Sequence, residues 1–125
     1  MSLDVHLMGP KYKVACVCHD CGNKHKKTER EELYWSNITH NLNKMADKAG
    51  IYKHLWRPDE LGIKKAKKLI KPLEEGLKKM KSNRKFCEQY NATNGWGLYE
   101  HFVPWVEEYL AACKKFPDSD VVVSR

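Results

Sequence analysis

The chain has 125 residues, of which 42% are hydrophobic and 31% charged, and its formal net charge is +7. This length suits one domain able to bury roughly two-thirds of its unfolded surface, and with this hydrophobic share the chain need not be disordered throughout. No apolar run approaches a membrane span, and Met1-Ser2-Leu3-Asp4-Val5 lacks the basic and apolar regions of a secretory signal, so a cytoplasmic protein without membrane contact is expected.

Taken in order, Leu3-Asp4-Val5-His6-Leu7 alternates apolar and polar residues at period 2 and predicts a strand ended by Gly9-Pro10. Lys11 to Cys18 alternates again, Asp20-Cys21-Gly22-Asn23 is a turn, and Lys24 to Trp35 returns as a third strand, although Glu29 to Glu32 would also suit a helix. Ser36 or Asn37 is the expected cap of a first helix running to Ala49, with Gly50 as its stop. Its apolar residues Ile38, Leu42, Met45, Ala46 and Ala49 fall on one stripe, with Asn37, His40 and Lys44 opposite.

Ile51 to Trp56 predicts a short helical piece, and Pro58 suits the first turn of the next. Ile63, Ala66, Leu69, Ile70, Leu73, Leu77 and Met80 make the stripe of a long helix, which Pro72 is expected to kink or divide. Asn91 to Gly95 is a turn. Leu98, Phe102, Val106, Tyr109, Leu110 and Cys113 mark a last helix with a bend at Pro104, and Val121-Val122-Val123 predicts a strand that pairs with Leu3 to Leu7. The pattern is α+β: a small antiparallel sheet of N-terminal strands plus the C-terminal strand, packed against about three helices in one domain. Within it, 1–35 is a hairpin region, 36–116 is helical and 117–125 is the closing strand.

In a cytoplasmic protein the five cysteines are thiols or metal ligands rather than a disulfide framework, and the sequons at Asn37 and Asn91 are accidental. Cys16, Cys18, Cys21 and His25 have the thiolate and imidazole chemistry of a closed zinc shell, with His19 able to replace His25. An empty thiol cluster and redox chemistry are the alternatives, because all four ligands fall within ten residues. The segment from Ile63 to Phe86 carries +8 of the charge. Its Lys64, Lys67, Lys68, Lys71 and Lys78 form a face suited to nucleic acid or to a host protein complex, and equally the solvated face that any amphipathic helix needs.

Three short motifs pair aromatic and polar residues. Asn37, His40, Asn41 and Lys44 cluster at the expected helix start, where a positive helix end favours anions. Trp56-Arg57-Pro58 sets a guanidinium beside an aromatic face, suited to a carboxylate or phosphate, and equally fits a buried Trp56 with Arg57 bonded to helix-end carbonyls. Asn94-Gly95-Trp96-Gly97-x-Tyr99 offers Trp96 for stacking and Tyr99 as a polar partner, and equally fits a capped helix start with Trp96 packed on the core. These residues predict a pocket for a small anionic or nucleotide-like ligand, provided that they converge. If the chain were an enzyme, His40 would be its acid or base. Phosphate-loop, Rossmann and Gly-x-Ser-x-Gly signatures are absent from the sequence.

Together, the run Asn37-Ile38-Thr39-His40-Asn41-Leu42, Leu55-Trp56-Arg57-Pro58, Asn94-Gly95-Trp96-Gly97-x-Tyr99 and Val123-Ser124-Arg125 resemble a family of small uncharacterised proteins of bacteriophage and bacterial genomes. The resemblance brings no catalytic assignment. It implies a small accessory protein that binds a host factor, nucleic acid or a nucleotide signal to counter a host defence.

Overall fold

In the computed structural model, residues 2–10, 12–17 and 24–125 are described, with side chains at 2–10 and 30–125. The fold is α+β. Strand β1 (Ser2–Met8) lies at the centre of a three-stranded antiparallel sheet between β4 (Glu32–Thr39) and β5 (Asp120–Ser124). The alternation in β1 explains its place. Leu3, Val5 and Leu7 are buried on the core face, while Asp4, His6 and Met8 turn to the outer face. On the core side Val5 sits opposite Val123 of β5, as the terminal valines predict.

Strands β2 (Tyr12–Val17) and β3 (Lys24–Glu29) form a separate two-stranded ladder between β1 and β4 in sequence. Its neck is tied to the main sheet: the Gly9 amide donates to the Glu31 carbonyl at 2.7 Å, and the Arg30 guanidinium reaches Gly9 and the Asp120 carboxylate. Lys65 meets the same carboxylate at 2.7 Å.

Five helices follow among the described residues: α1 (Asn43–Lys48), α2 (Tyr52–Trp56), α3 (Lys67–Ser82), α4 (Arg84–Glu88) and α5 (Tyr99–Lys115). The long pair α3 and α5 covers the core face of the sheet with Leu69, Leu73, Met80, Phe102, Val106 and Tyr109, all fully buried. The predicted turn at Pro58 is a short 3-10 helix over Pro58–Leu61. No described helix is long and apolar enough to cross a membrane.

Four boundaries differ from expectation. The single strand expected from Lys24 to Trp35 is two, β3 ending at Glu29 and β4 starting at Glu32, which belong to different sheets. The first helix does not begin at Ser36 or Asn37, because β4 continues to Thr39 by pairing Asn37 with Asp4 and Ile38 with Leu3. Thr39 is the cap instead, its hydroxyl accepting from the Asn41 amide ahead of a 3-10 turn over His40–Leu42. The long helix begins at Lys67 rather than Ile63, since the Lys64 carbonyl is taken by the Val121 amide and the Ala66 amide by the Ser119 carbonyl. Pro72 does not divide α3; in the second turn its missing N–H removes only the bond to Lys68.

Candidate functional site

At the end of the sheet where β1 begins and β4 stops, the chain from Asn91 to Leu98 folds back over the 3-10 turn. Sequence explains how the loop is held. The Asn94 carboxamide oxygen accepts from the Trp96 amide at 3.0 Å, and the Asn91 oxygen accepts from the Tyr99 amide at 2.8 Å at the start of α5. The loop is docked by Asn41, whose carboxamide donates to the Trp96 carbonyl at 2.7 Å. Gly97 permits that approach: its φ is +125°, and a Cβ there would stand 2.9 Å from the Asn41 Cβ.

Between loop and sheet lies an open cleft of about 760 Å³, lined by Asn37, Asn41, Asn94, Trp96, His101 and Trp105 together with Ser2, Thr39 and Leu42. That volume falls in the range of small-molecule sites. The floor is apolar. Trp105 is nearly buried, and its indole N–H is spent on the Ser36 hydroxyl at 2.8 Å. Trp96 is the opposite case: 72% of its surface is exposed at the rim, an arrangement that costs apolar hydration and leaves a ring face open for stacking.

The carboxamides keep complementary capacity. Asn41 has spent its N–H on Trp96 and retains an acceptor, whereas Asn94 has spent its oxygen and retains a donor. Asn37, exposed on the outer face of β4, has no hydrogen-bond partner among the described residues and offers both. Among the described residues no lysine or arginine lines the cleft, and His101 is the one imidazole that does. No family model, curated protein or solved structure matches the chain. The site therefore has to be read from its own chemistry.

Asn37, Asn41, Asn94 and Trp96 are thus brought together, uniting the first and third sequence motifs. The second motif stands apart. Trp56 is a core residue, 2% exposed, stacked on Tyr52 and met edge-on by His40 at 6.3 Å between ring centroids. Arg57 reaches the Tyr52 hydroxyl and pairs with Glu60 at 3.0 Å; these neighbours hold its guanidinium above its ordinary pKa. It does not line the cleft.

His40 does not line it either. Successive residues of a 3-10 turn point about 120° apart, so when Asn41 faces the cleft His40 faces Trp56, with its Nε2 buried and unpartnered among the described residues. Lys44 is exposed on α1 outside the cleft. Tyr99, expected as a polar partner of Trp96, is buried and donates its hydroxyl to the Met80 carbonyl at 3.2 Å.

Lys67, Lys68, Lys71 and Lys78 lie exposed on α3, while Lys64 precedes the helix. Lys67 approaches Asp118 at 3.8 Å, and Glu74 and Glu75 interrupt the basic face. For the cysteine cluster, Cys18 and Cys21 lie outside the described residues, and Cys16 and His25 are described in backbone only. Elsewhere, no group of three or more metal-ligating side chains occurs among the described residues. Sequence reasoning missed His101 and Trp105 as lining residues, which sit a turn apart on the α5 face that ends at the cleft.

Proposed function

We propose that this protein binds a nucleotide-like ligand without turning it over, holding the base rather than the phosphate in the cleft beneath Trp96. The observation that carries the reading is the lining itself. An exposed indole stands beside three carboxamides, and among the described residues no cationic side chain stands with them. Stacking on an aromatic ring is worth about 1–3 kcal/mol per base, and a carboxamide matches the adjacent donor and acceptor on an adenine edge. A phosphate would find neither lysine nor arginine at these walls. The resemblance to phage proteins extends the reading to an accessory role in which a host signal is withdrawn by binding.

Titration with adenosine monophosphate and with ribose 5-phosphate tests this directly. Base-first binding expects the monophosphate to bind and the sugar phosphate not to, and Trp96→Ala to weaken the former about tenfold or more. Equal binding of both compounds, or an unchanged affinity in Trp96→Ala, would refute it.

A zinc ion in the β2–β3 hairpin is a second and separate proposal. The ladder register that sets Cys16 opposite His25 supports it, because directly paired residues lie close enough to share a metal. Stoichiometric zinc in the purified protein, released in Cys18→Ser, is the expected result. Protein that never carries zinc when produced with the metal supplied would end the proposal. The α3 lysines supply sequence-independent attraction for a polyanion rather than base readout.

A further inference from the structure

The cleft opens onto the outer face of the sheet, and that face holds a second exposed indole. Trp35 lies two residues before Asn37 on β4, so both side chains leave the same face about 7 Å apart along the strand. Trp35 is 53% exposed, and in the ladder it sits beside His6, which in turn sits beside the exposed Val122 of β5. The His6 imidazole contacts the Glu32 carboxylate at 2.5 Å. Asp4, beside Asn37, remains as an acceptor for base amino groups.

We infer that the ligand is a single-stranded nucleic acid, one base held under Trp96 and another stacked on Trp35. The inference rests on the base-binding reading of the cleft and names its partner. Two exposed aromatic rings, Trp35 on the outer face of β4 and Trp96 on the loop that shares the cleft with Asn37, offer stacking surfaces to two bases of one strand. A free mononucleotide would use one ring and leave the other without a purpose.

Charge favours the same occupant. Among the described residues the cleft has no cation of its own, and the segment from Ile63 to Phe86 accounts for the chain's net positive charge, yet residues 11–28 carry five lysines against Asp20. Beyond Trp35 the strands of this face lead past Arg30 into β2 and β3, whose sequences contain Lys13, Lys24, Lys26 and Lys27. β4 leads from the neck at Glu32 to the cleft at Thr39, so a polynucleotide laid along it from the cleft runs toward that basic segment, whereas the single phosphate of a bound nucleotide stays at the cleft.

The test compares a fluorescently labelled eight-residue oligodeoxyadenylate with adenosine monophosphate on the full-length protein. Wild type should bind the oligonucleotide at least tenfold more tightly, with an affinity that falls as salt rises. Trp35→Ala should lose about tenfold for the oligonucleotide and less than about twofold for the monophosphate, and Trp35→Phe should recover most of the loss. An exposed position makes the fold of both variants easy to verify by circular dichroism. Monophosphate bound as tightly as oligonucleotide, or no effect of Trp35→Ala, overturns the role of Trp35 and leaves the cleft reading intact. Absence of binding to either probe overturns both. Equal competition by polyglutamate of matched charge would show attraction by charge alone, which also overturns the role of Trp35.

Discussion

Gly97→Ala isolates the contact on which the cleft depends. At φ +125° a residue with a side chain is strained, at a cost of about 1–3 kcal/mol. The new methyl group also has nowhere to go, since it would meet the Asn41 Cβ at 2.9 Å and the Asn41 backbone carbon at 3.4 Å. Relief requires the loop to lift, which gives up the 2.7 Å bond from Asn41 to the Trp96 carbonyl, worth about 1 kcal/mol. The sum is about 2–4 kcal/mol, and for a domain of this size each kcal/mol moves Tm by about 3–6 °C. Gly95→Ala is the internal control. It shares a positive φ, +79°, but its Cβ would touch nothing within 4 Å, so only the backbone cost of about 1 kcal/mol applies. Thermal unfolding followed by circular dichroism, with monophosphate titration in parallel, should show Gly97→Ala about 10 °C below wild type and unable to bind. A Gly97→Ala protein that melts with Gly95→Ala and keeps its affinity would refute the argument that this close approach builds the site.

Two further substitutions probe the scaffold. Gly76 lies inside α3, where alanine ordinarily stabilises by about 1 kcal/mol, but its Cβ would come within 2.4 Å of the buried Ile51 Cγ2. Overpacking of about 1–3 kcal/mol should reverse the sign, and a double-mutant cycle with Ile51→Ala should return a coupling of at least about 1 kcal/mol; stabilisation by Gly76→Ala alone would contradict the packing. Burial lowers the His54 imidazole below its ordinary pKa of 6.5, so as pH falls the unfolded chain takes the proton first. The resulting stability is fully present above about pH 6.5 and is lost as pH falls from there through the folded value. His54→Gln should therefore flatten the difference in urea midpoint between about pH 7.5 and about pH 5.5, and an unchanged difference would exclude His54 as its source.

Two of the three strands were legible: β1 obeys a period-2 pattern with one face buried, and the terminal β-branched valines read as a strand able to pair with it. The error at the first helix has a physical origin. Ser36, Asn37 and Thr39 are all competent caps within four residues, and Ile38 fits both a helical stripe and the strand. Pairing of Ile38 with Leu3 decides the matter, and no local signal reveals a partner at the far N-terminus. Ile63 continued the apolar stripe of α3 by spacing alone, yet the backbone after it is engaged by residues 117–121. For the cleft, Asn94 and Trp96 announced themselves as turn residues. Their meeting with Asn41 rests on a bond spanning 55 residues and on the missing side chain of Gly97, neither of which any window of sequence contains.

The neck at Gly9, Glu31 and Arg30 gives the β2–β3 hairpin the character of an interchangeable attachment. Hydrogen bonds and the carboxylate of Asp120 close the sheet below it, and β1 and β4 are paired from Ser2 to Met8, across one register shift after Leu7, before the hairpin is reached. Replacing residues 10–29 by a short Asn-Gly turn should leave the domain able to fold. The cleft, at the opposite end of the sheet, is expected to keep its shape and its affinity for the monophosphate when the cysteine-bearing, lysine-rich segment is removed.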